Sequence, residues 1–186
     1  MTTIAYGNHH VDVTERPQWR PIQRCPFKSL RGLTPETTWF DLKPMKPDSM
    51  WETHVLQPLG HTLPPGVLAA QEFLNCGARH AYVVEAWDGP NGVMRADLHG
   101  ANVDEPIHGL IQKFLAVSEG RLGGFPDVVA FWDDGRISMQ ELKLQGRDLL
   151  KANQHAAANR LRGLLGNRLD LNILMWGHDY NRSSDD

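Results

Sequence analysis

Residues 124–144 read GFPDVVAFWDDGRISMQELKL and predict two strands joined by a tight turn. Residues 127–132 are almost continuously apolar, which is typical of a strand buried on both faces. Asp134-Gly135 is a common two-residue hairpin turn, and residues 136–144 return as the partner strand. This hairpin fixes the local geometry on which the functional prediction depends.

Three charged side chains are expected to converge at the end of the hairpin away from the turn. Side chains alternate between the faces of a strand, so Glu141 and Lys143 share one face with Ile137 and Met139. Matching the strand lengths across the turn places Asp127 beside them. Glu141 and Lys143 alone would favour an ordinary surface ion pair, which contributes at most about 1 kcal/mol. The added Asp127 favours a functional site.

Two carboxylates and a lysine suit metal-assisted hydrolysis of a phosphodiester. Carboxylate oxygens are ligands that Mg²⁺ accepts, and the ion keeps several waters and binds substrate phosphate. The metal lowers the pKa of a bound water, and a nearby lysine can orient that water or stabilise developing negative charge. The pattern therefore predicts a magnesium-dependent hydrolase, with an ion pair at a sheet edge as the simpler alternative.

The helix predicted over residues 148–165 adds a polar side chain to this group. Its inward stripe consists of Leu150, Ala157, Leu161 and Leu164. Gln154 occupies a place in that stripe, and a polar side chain on a buried face needs a partner. Its amide either holds a ligand or water near Glu141 and Lys143, or bonds to a nearby backbone group.

The rest of residues 66–177 predicts a mixed α/β domain. The expected helices span residues 67–76 and 104–118, and the expected strands span residues 80–87, 93–98 and 171–176. Strands and helices in this order indicate an α/β sandwich around a small mixed sheet. Residues 178–186 are expected to form a polar tail.

Residues 1–65 differ in composition from the domain. They hold nine of the twelve prolines, which remove backbone donors and break helices. They also carry several tryptophans and phenylalanines: Trp19, Phe27, Trp39, Phe40 and Trp51. We expect a mostly irregular arm that packs on the domain or on a protein partner, since so many aromatics argue against a free disordered tail.

The overall composition excludes several classes of protein. The chain has 186 residues, 22% of them charged, and no apolar run near the ~18 residues that a membrane span needs. No signal peptide is visible, and Cys25 and Cys76 are most simply reduced thiols in a cytoplasm. The nine histidines form no H-E-x-x-H motif, and neither a phosphate-binding P-loop nor a G-x-S-x-G elbow is present.

Charge is unevenly distributed along the chain. The formal net charge is −3, yet residues 136–168 contain seven basic and two acidic residues. Such a stretch is either a solvated helix face or a footprint for nucleic acid. The candidate DNA contacts are Arg147, Lys151, Arg160 and Arg162.

The order Gly124-Phe125-Pro126-Asp127, then Glu141-Leu142-Lys143, then Gln154 resembles the PD-(D/E)XK nuclease superfamily, and most of all its VRR-NUC branch. The similarity covers residues 66–177, and Asp148, Gly120 and Gly123 also fit the branch. So do three residues upstream of the hairpin: Asn91, Gly92 and Arg95. The resemblance implies a restriction-endonuclease-like αβββαβ core with a mixed central sheet flanked by helices.

The resemblance also implies Mg²⁺- or Mn²⁺-dependent cleavage of DNA. Asp127 and Glu141 would be metal ligands together with the Leu142 carbonyl, Lys143 would be the catalytic lysine, and Gln154 would support it. An acidic residue from the first helix often completes such sites, and Glu72 is the first candidate here. Glu52 is the second.

The biological role stays open between two classes. One is an endonuclease acting as a homodimer, for which junction, branched and plain duplex DNA are all candidate substrates. The other is a nuclease fold retained as a structural or DNA-binding subunit of a larger assembly such as a phage particle, because the arm suits wrapping around a partner.

Overall fold

A mixed sheet with helices on both faces forms the described part of the chain. The structure, a computed structural model, describes residues 2–17, 19, 25–26, 52–53, 65–86, 91–96, 101, 104–146 and 148–177. Within these ranges the helices are α1 (Pro65–Asn75), α2 (Pro106–Val117) and α3 (Ala152–Leu165). The strands are β1 (Thr3–Tyr6), β2 (His9–Arg16), β3 (Cys25–Pro26), β4 (Glu52–Thr53), β5 (His80–Ala86), β6 (Asn91–Arg95), β7 (Val128–Phe131), β8 (Ile137–Leu144) and β9 (Leu169–Trp176).

Seven of these strands form one sheet in the order β1-β2-β9-β8-β7-β5-β6. Strand β9 runs parallel to both β2 and β8, and the other neighbours are antiparallel. The short strands β3 and β4 pair only with each other. The predicted mixed α/β class with helices around a mixed sheet is confirmed.

Two apolar clusters lie on opposite faces of the sheet. Helices α2 and α3 pack on one face, in the cluster that includes Met139 and Ile173. Helix α1 packs on the other face, in the cluster that Leu142 and Leu144 border. The alternation predicted along β8 is therefore confirmed, and the odd-numbered side chains of that strand face α3.

The amino-terminal residues contribute more to the domain than the proline content of residues 1–65 indicates, because all nine of those prolines lie at position 17 or later. Strands β1 and β2 form a hairpin whose second strand pairs with β9, and Val13 lies opposite Ile173. Tyr6 and Val11 are buried in the core. Residues 3–16 thus belong to the sheet rather than to an irregular arm, because Val11 and Val13 alternate with polar residues and bury one face.

Most of the remaining arm lies outside the described residues. Trp19 is buried against the α1 cluster, as a packed aromatic was expected to be. Phe27, Trp39, Phe40 and Trp51 fall outside the described ranges, and so does the expected tail at 178–186.

The hairpin turn differs from the predicted two-residue turn at 134–135. The Trp132 N–H donates to the Arg136 carbonyl at 3.1 Å and Phe131 pairs with Ile137, so the loop has three residues, 133–135.

Element bounds differ from the sequence prediction chiefly at helix α3. It begins at Ala152 rather than at residue 148, because the Gln154 side chain accepts the Lys151 backbone N–H at 2.9 Å and caps the helix there.

The Cys76 thiol is free and exposed. In the described ranges, no helix is both long enough and apolar enough to cross a membrane.

Candidate active site

Asp127 and Glu141 meet where strands β7 and β8 separate. Val128 pairs with Gln140, and the same register carried one residue further sets Asp127 opposite Glu141. Asp127 Oδ2 accepts the backbone N–H of Leu142 at 2.8 Å. Strand β7 begins at Val128, so this side-chain hydrogen bond takes the place of a backbone bond between β7 and β8. It ties Asp127 to the strand that carries Glu141.

Glu141 is at the centre of a buried polar network. It is only 1% exposed, and its Oε1 accepts hydrogen bonds from Lys143 Nζ at 3.0 Å and from Gln154 Nε2. Lys143, 7% exposed, also donates to Gln154 Oε1 at 3.1 Å. Buried charges persist only when they are paired and hydrogen-bonded, and this network satisfies that requirement.

Gln154 bonds both to the charged pair and to a backbone group. Its amide contacts Glu141 and Lys143, and its oxygen also accepts the Lys151 N–H that caps helix α3. One side chain therefore ties the start of the helix to the charged pair. Any displacement of the helix end would move Gln154 away from that pair.

Tyr6 is a member of the site that sequence reasoning missed. Its side chain is fully buried, and its hydroxyl donates to Glu141 Oε2 at 3.3 Å. Burial and the negative charges of Glu141 and Asp127 raise the pKa of Tyr6, so the hydroxyl keeps its proton and acts as a donor. No local pattern indicates this contact, because the two residues are separated by 135 positions.

The turn after Tyr6 is anchored to helix α3. The Gly7 N–H donates to His155 Nδ1 at 3.0 Å, and the Asn8 N–H donates to Asn159 Oδ1 at 2.8 Å. The Tyr6 ring also packs edge-on against His155. The amino-terminal hairpin thus packs against α3 and reaches Glu141 through Tyr6.

Replacing Tyr6 by Phe is expected to lower the free energy of unfolding by about 1 kcal/mol at pH 7, because a buried carboxylate oxygen loses a donor. Chemical denaturation measures the change. The same substitution made in a Glu141→Gln background should cost less, because the amide carries no full charge. An equal loss in both backgrounds would show that the hydroxyl does not act through Glu141.

The two carboxyls are electrostatically costly for the fold. Burial and the charge of Asp127 raise the pKa of Glu141 well above its ordinary value, and Lys143 offsets part of this. Burial also raises the pKa of Asp127, while the Leu142 N–H and Lys143 lower it in part. Such perturbed groups in a cleft are candidates for a functional site.

A cleft of about 770 Å³ opens over this network. Its polar floor consists of Asp127, Glu141, Lys143 and Gln154. Residues 123–125 and 148–151 line its sides, so the described residues leave a route from solvent to the carboxylates.

Gly124 allows the loop before β7 to touch helix α3. Its φ of +84° favours glycine, and a Cβ there would meet the Asn153 carbonyl and lie 2.8 Å from the Gln154 backbone nitrogen. The glycine of the G-x-PD motif is thus explained by close approach of two backbones. That approach seats the helix end that carries Gln154.

The donors present fit a magnesium ion that takes few protein ligands. Among the described residues, no group of three or more His, Cys, Asp and Glu side chains could hold a metal. Asp127, Glu141 and the Leu142 carbonyl remain as oxygen donors. Since the N–H and C=O of one strand residue point to the same side, the Leu142 carbonyl faces the Asp127 side. Mg²⁺ commonly completes such a set with water and phosphate.

Glu72, the acidic residue expected from the first helix, does not join the cluster. It lies on α1, on the face of the sheet opposite Glu141, and its carboxylate binds the Arg16 guanidinium through contacts of 2.8 and 2.9 Å. The structure therefore does not bring Glu72 to Asp127 and Glu141. Glu52 lies in β4, and its side chain is outside the described part of the chain.

The candidate DNA contacts are dispersed. Lys151 is exposed and lines the cleft. Arg160 is exposed and Arg162 is half-buried, and neither lines the cleft. Arg147 is outside the described residues. Lys151 is thus the member of this set that the structure brings to the site.

Comparisons of the chain with protein-family models, with curated proteins and with solved structures find no match. Function is therefore inferred from the side chains of the cleft and from the short motifs that carry them.

Proposed function

We propose that the chain is a metal-dependent DNA endonuclease that hydrolyses phosphodiester bonds. One observation carries the proposal: the Glu141 carboxyl binds the Lys143 ammonium at 3.0 Å, and the Asp127 carboxyl lies with them at the floor of an open cleft. Two carboxylates against one ammonium leave an excess of negative charge. A divalent cation would compensate it, whereas a structural ion pair needs no second carboxylate.

Asp127, Glu141 and the Leu142 carbonyl would hold Mg²⁺ or Mn²⁺. When bound, the ion would lower the pKa of a coordinated water and neutralise charge on the phosphate. Asp127 Oδ2 is engaged by the Leu142 N–H, so the carboxylate is fixed in orientation before any ion binds. This preorganisation supports a metal-binding role.

Lys143 would stabilise negative charge on the phosphate. An ammonium has three N–H donors, and Glu141 and Gln154 accept from it in the described residues. The third is left for a phosphate oxygen or the attacking water. Gln154 acts as a positioning residue, because its amide fixes both Lys143 and Glu141.

The arrangement of elements supports a restriction-endonuclease-like core. The PD motif comes directly before β7, the ExK motif lies in the paired strand β8, and α3 and β9 follow them, as the resemblance implies. Helix α2 and strands β5 and β6 precede them, so four strands rather than three lie between α1 and α3. Symmetric cleavage of branched DNA would need two such sites, and so we expect a homodimer in the cytoplasm.

A second candidate is a structural or DNA-binding subunit with the same fold. Both Glu141 oxygens are hydrogen-bonded within the chain, to Lys143 and Gln154 on one side and to Tyr6 on the other. A structural network would satisfy the Glu141 oxygens in the same way, although it would not account for the second carboxylate, that of Asp127. Cleavage measurements separate this candidate from the nuclease.

The deciding experiment adds Mg²⁺, Mn²⁺ or a chelator to the purified chain with supercoiled, linear and four-way DNA. We expect cleavage with Mg²⁺ or Mn²⁺ that stops in the chelator. Glu141→Gln should lose cleavage and weaken Mn²⁺ binding in calorimetry. Glu15→Gln, the same change at an exposed residue of β2, is the matched control and should keep both.

Two results would reject the nuclease. One is cleavage that persists in Glu141→Gln, which would mean that the activity does not belong to this site. The other is folded chain that cuts no DNA with either metal, which would favour the structural subunit.

A further inference from the structure

Leu149 projects an apolar side chain from the edge of the polar cleft. It is 82% exposed, against 37% for Leu74 and 44% for Val117, the other exposed large apolar residues in the described ranges. Single exposed leucines are common and need no explanation. Leu149 differs because it lines the cleft that contains the carboxylates.

The backbone beside Leu149 is fixed on both sides. Asp148 Oδ2 accepts the Leu144 N–H at 3.2 Å, and the Asp148 N–H donates to the Leu144 carbonyl at 3.0 Å. Leu150 packs against the core, and the capped start of α3 follows. The leucine is thus presented to solvent by anchored neighbours and is not part of a frayed end.

Its surroundings combine apolar and cationic groups in a way that suits a nucleotide. Lys151 lies two residues further along the same wall, and Lys143 lies on the floor of the cleft. Both ammonium groups suit phosphate oxygens. An apolar side chain beside them suits the face of a base, as in proteins that insert leucine between base steps.

We propose that Leu149 contacts the face of an unstacked nucleobase next to the phosphate that enters the cleft. Bases inside a continuous duplex have both faces covered by their neighbours. The contact therefore favours DNA with locally unpaired bases over paired DNA of equal charge. The inference rests on the proposed function only in that DNA is the occupant of the cleft.

Binding of two labelled DNAs tests the contact. One is a paired duplex, and the other is the same duplex with a few central mismatches, so that the number of phosphates is equal. Fluorescence anisotropy is measured with the full chain in a chelator, so that no cleavage intervenes. The parent should bind the mismatched DNA about fivefold more tightly, which is the lower limit for a base stacked on an aromatic ring and suits a side chain without one.

Leu149→Ala should reduce this preference to about twofold or less, while Leu149→Met should keep most of it. Leu74→Ala is the matched control, because it removes the same side chain from an exposed site outside the cleft, and it should keep the full preference. A parent that binds both DNAs equally overturns the inference. So does a Leu149→Ala variant that keeps the parental preference.

Failure of the nuclease proposal would look different. A chain that cuts no DNA with Mg²⁺ or Mn²⁺, yet shows the Leu149-dependent preference, would reject the enzyme and keep the base contact. A chain that cuts DNA but shows no effect of Leu149→Ala would keep the enzyme and reject the contact.

Discussion

Asp127→Asn is expected to reduce metal-dependent cleavage by a factor of about 10²–10³ and, in the same protein, to raise thermal stability at pH 7. The asparagine oxygen can still accept the Leu142 N–H that Asp127 Oδ2 now binds at 2.8 Å. The variant therefore keeps the local geometry and removes one negative charge beside Glu141. Cleavage falls because a proposed metal ligand loses its charge. Stability rises because the repulsion between the Asp127 and Glu141 carboxylates ends.

The sign of the pH dependence follows from the raised pKa of Asp127. The folded protein holds the Asp127 proton to a higher pH than the unfolded chain, in which aspartates have a pKa of about 3.9. Between the two pKa values the folded state binds more protons, so stability falls as pH rises through that window. Asp127→Asn removes this loss, and its stability advantage should grow from pH 4 towards pH 7.

Thermal unfolding followed by circular dichroism measures the effect. A gain of about 1 kcal/mol would raise the midpoint by roughly 2–4 °C in a chain of this size. Asp134→Asn is the control of opposite sign, because Arg136 lowers the pKa of that exposed aspartate. The ionised Asp134 stabilises the fold at neutral pH, and this effect is lost as pH falls. Asp134→Asn should therefore lower stability at neutral pH. A less stable Asp127→Asn at pH 7 would contradict a raised pKa for Asp127.

The sequence was sufficient to predict the parts of the site that depend on local geometry. Matching the strand lengths was enough to set Asp127 beside Glu141, although the predicted turn was wrong. The loop has three residues, and a two-residue turn at 134–135 would have set Asp127 opposite Leu142. Strand alternation then gave Lys143 the same face. The inward position of Gln154 followed from helix periodicity, because α3 packs on that face of the sheet.

The parts that were missed depend on packing between distant segments. Tyr6 reaches Glu141 only because β2 pairs with β9. The average composition of residues 1–65 concealed that pairing, although all the prolines of this segment lie at position 17 or later. Glu72 was chosen by its position in the first helix, but the helix packs on the opposite face, where Arg16 binds it. Neither outcome has a local signal, since each is decided by which face of the sheet an element covers.

Gly124→Ala is expected to destabilise the protein by about 2–4 kcal/mol and to lower cleavage, although residue 124 has no reactive group. The added methyl would meet the Asn153–Gln154 peptide and require a left-handed backbone at φ +84°. Backbone cannot rotate away as a flexible side chain can, so the loop and the start of α3 must separate. Gln154 would then withdraw from Lys143 and Glu141, which it joins at present.

Two neighbouring glycines separate the clash from the backbone strain. Gly120 has a φ of +73°, and no described atom lies within 4 Å of the position that an alanine methyl would take, so Gly120→Ala should cost only about 1 kcal/mol of strain. At Gly123 a methyl would lie at an ordinary 3.7 Å from Asn153 Nδ2, and alanine should be nearly neutral. Denaturation and cleavage rates of the three variants, compared side by side, measure both effects. If Gly124→Ala lowers the free energy of unfolding no more than Gly120→Ala does, the loop does not hold the start of α3 in place. The proposed connection from Gly124 through Gln154 to Lys143 would then be wrong.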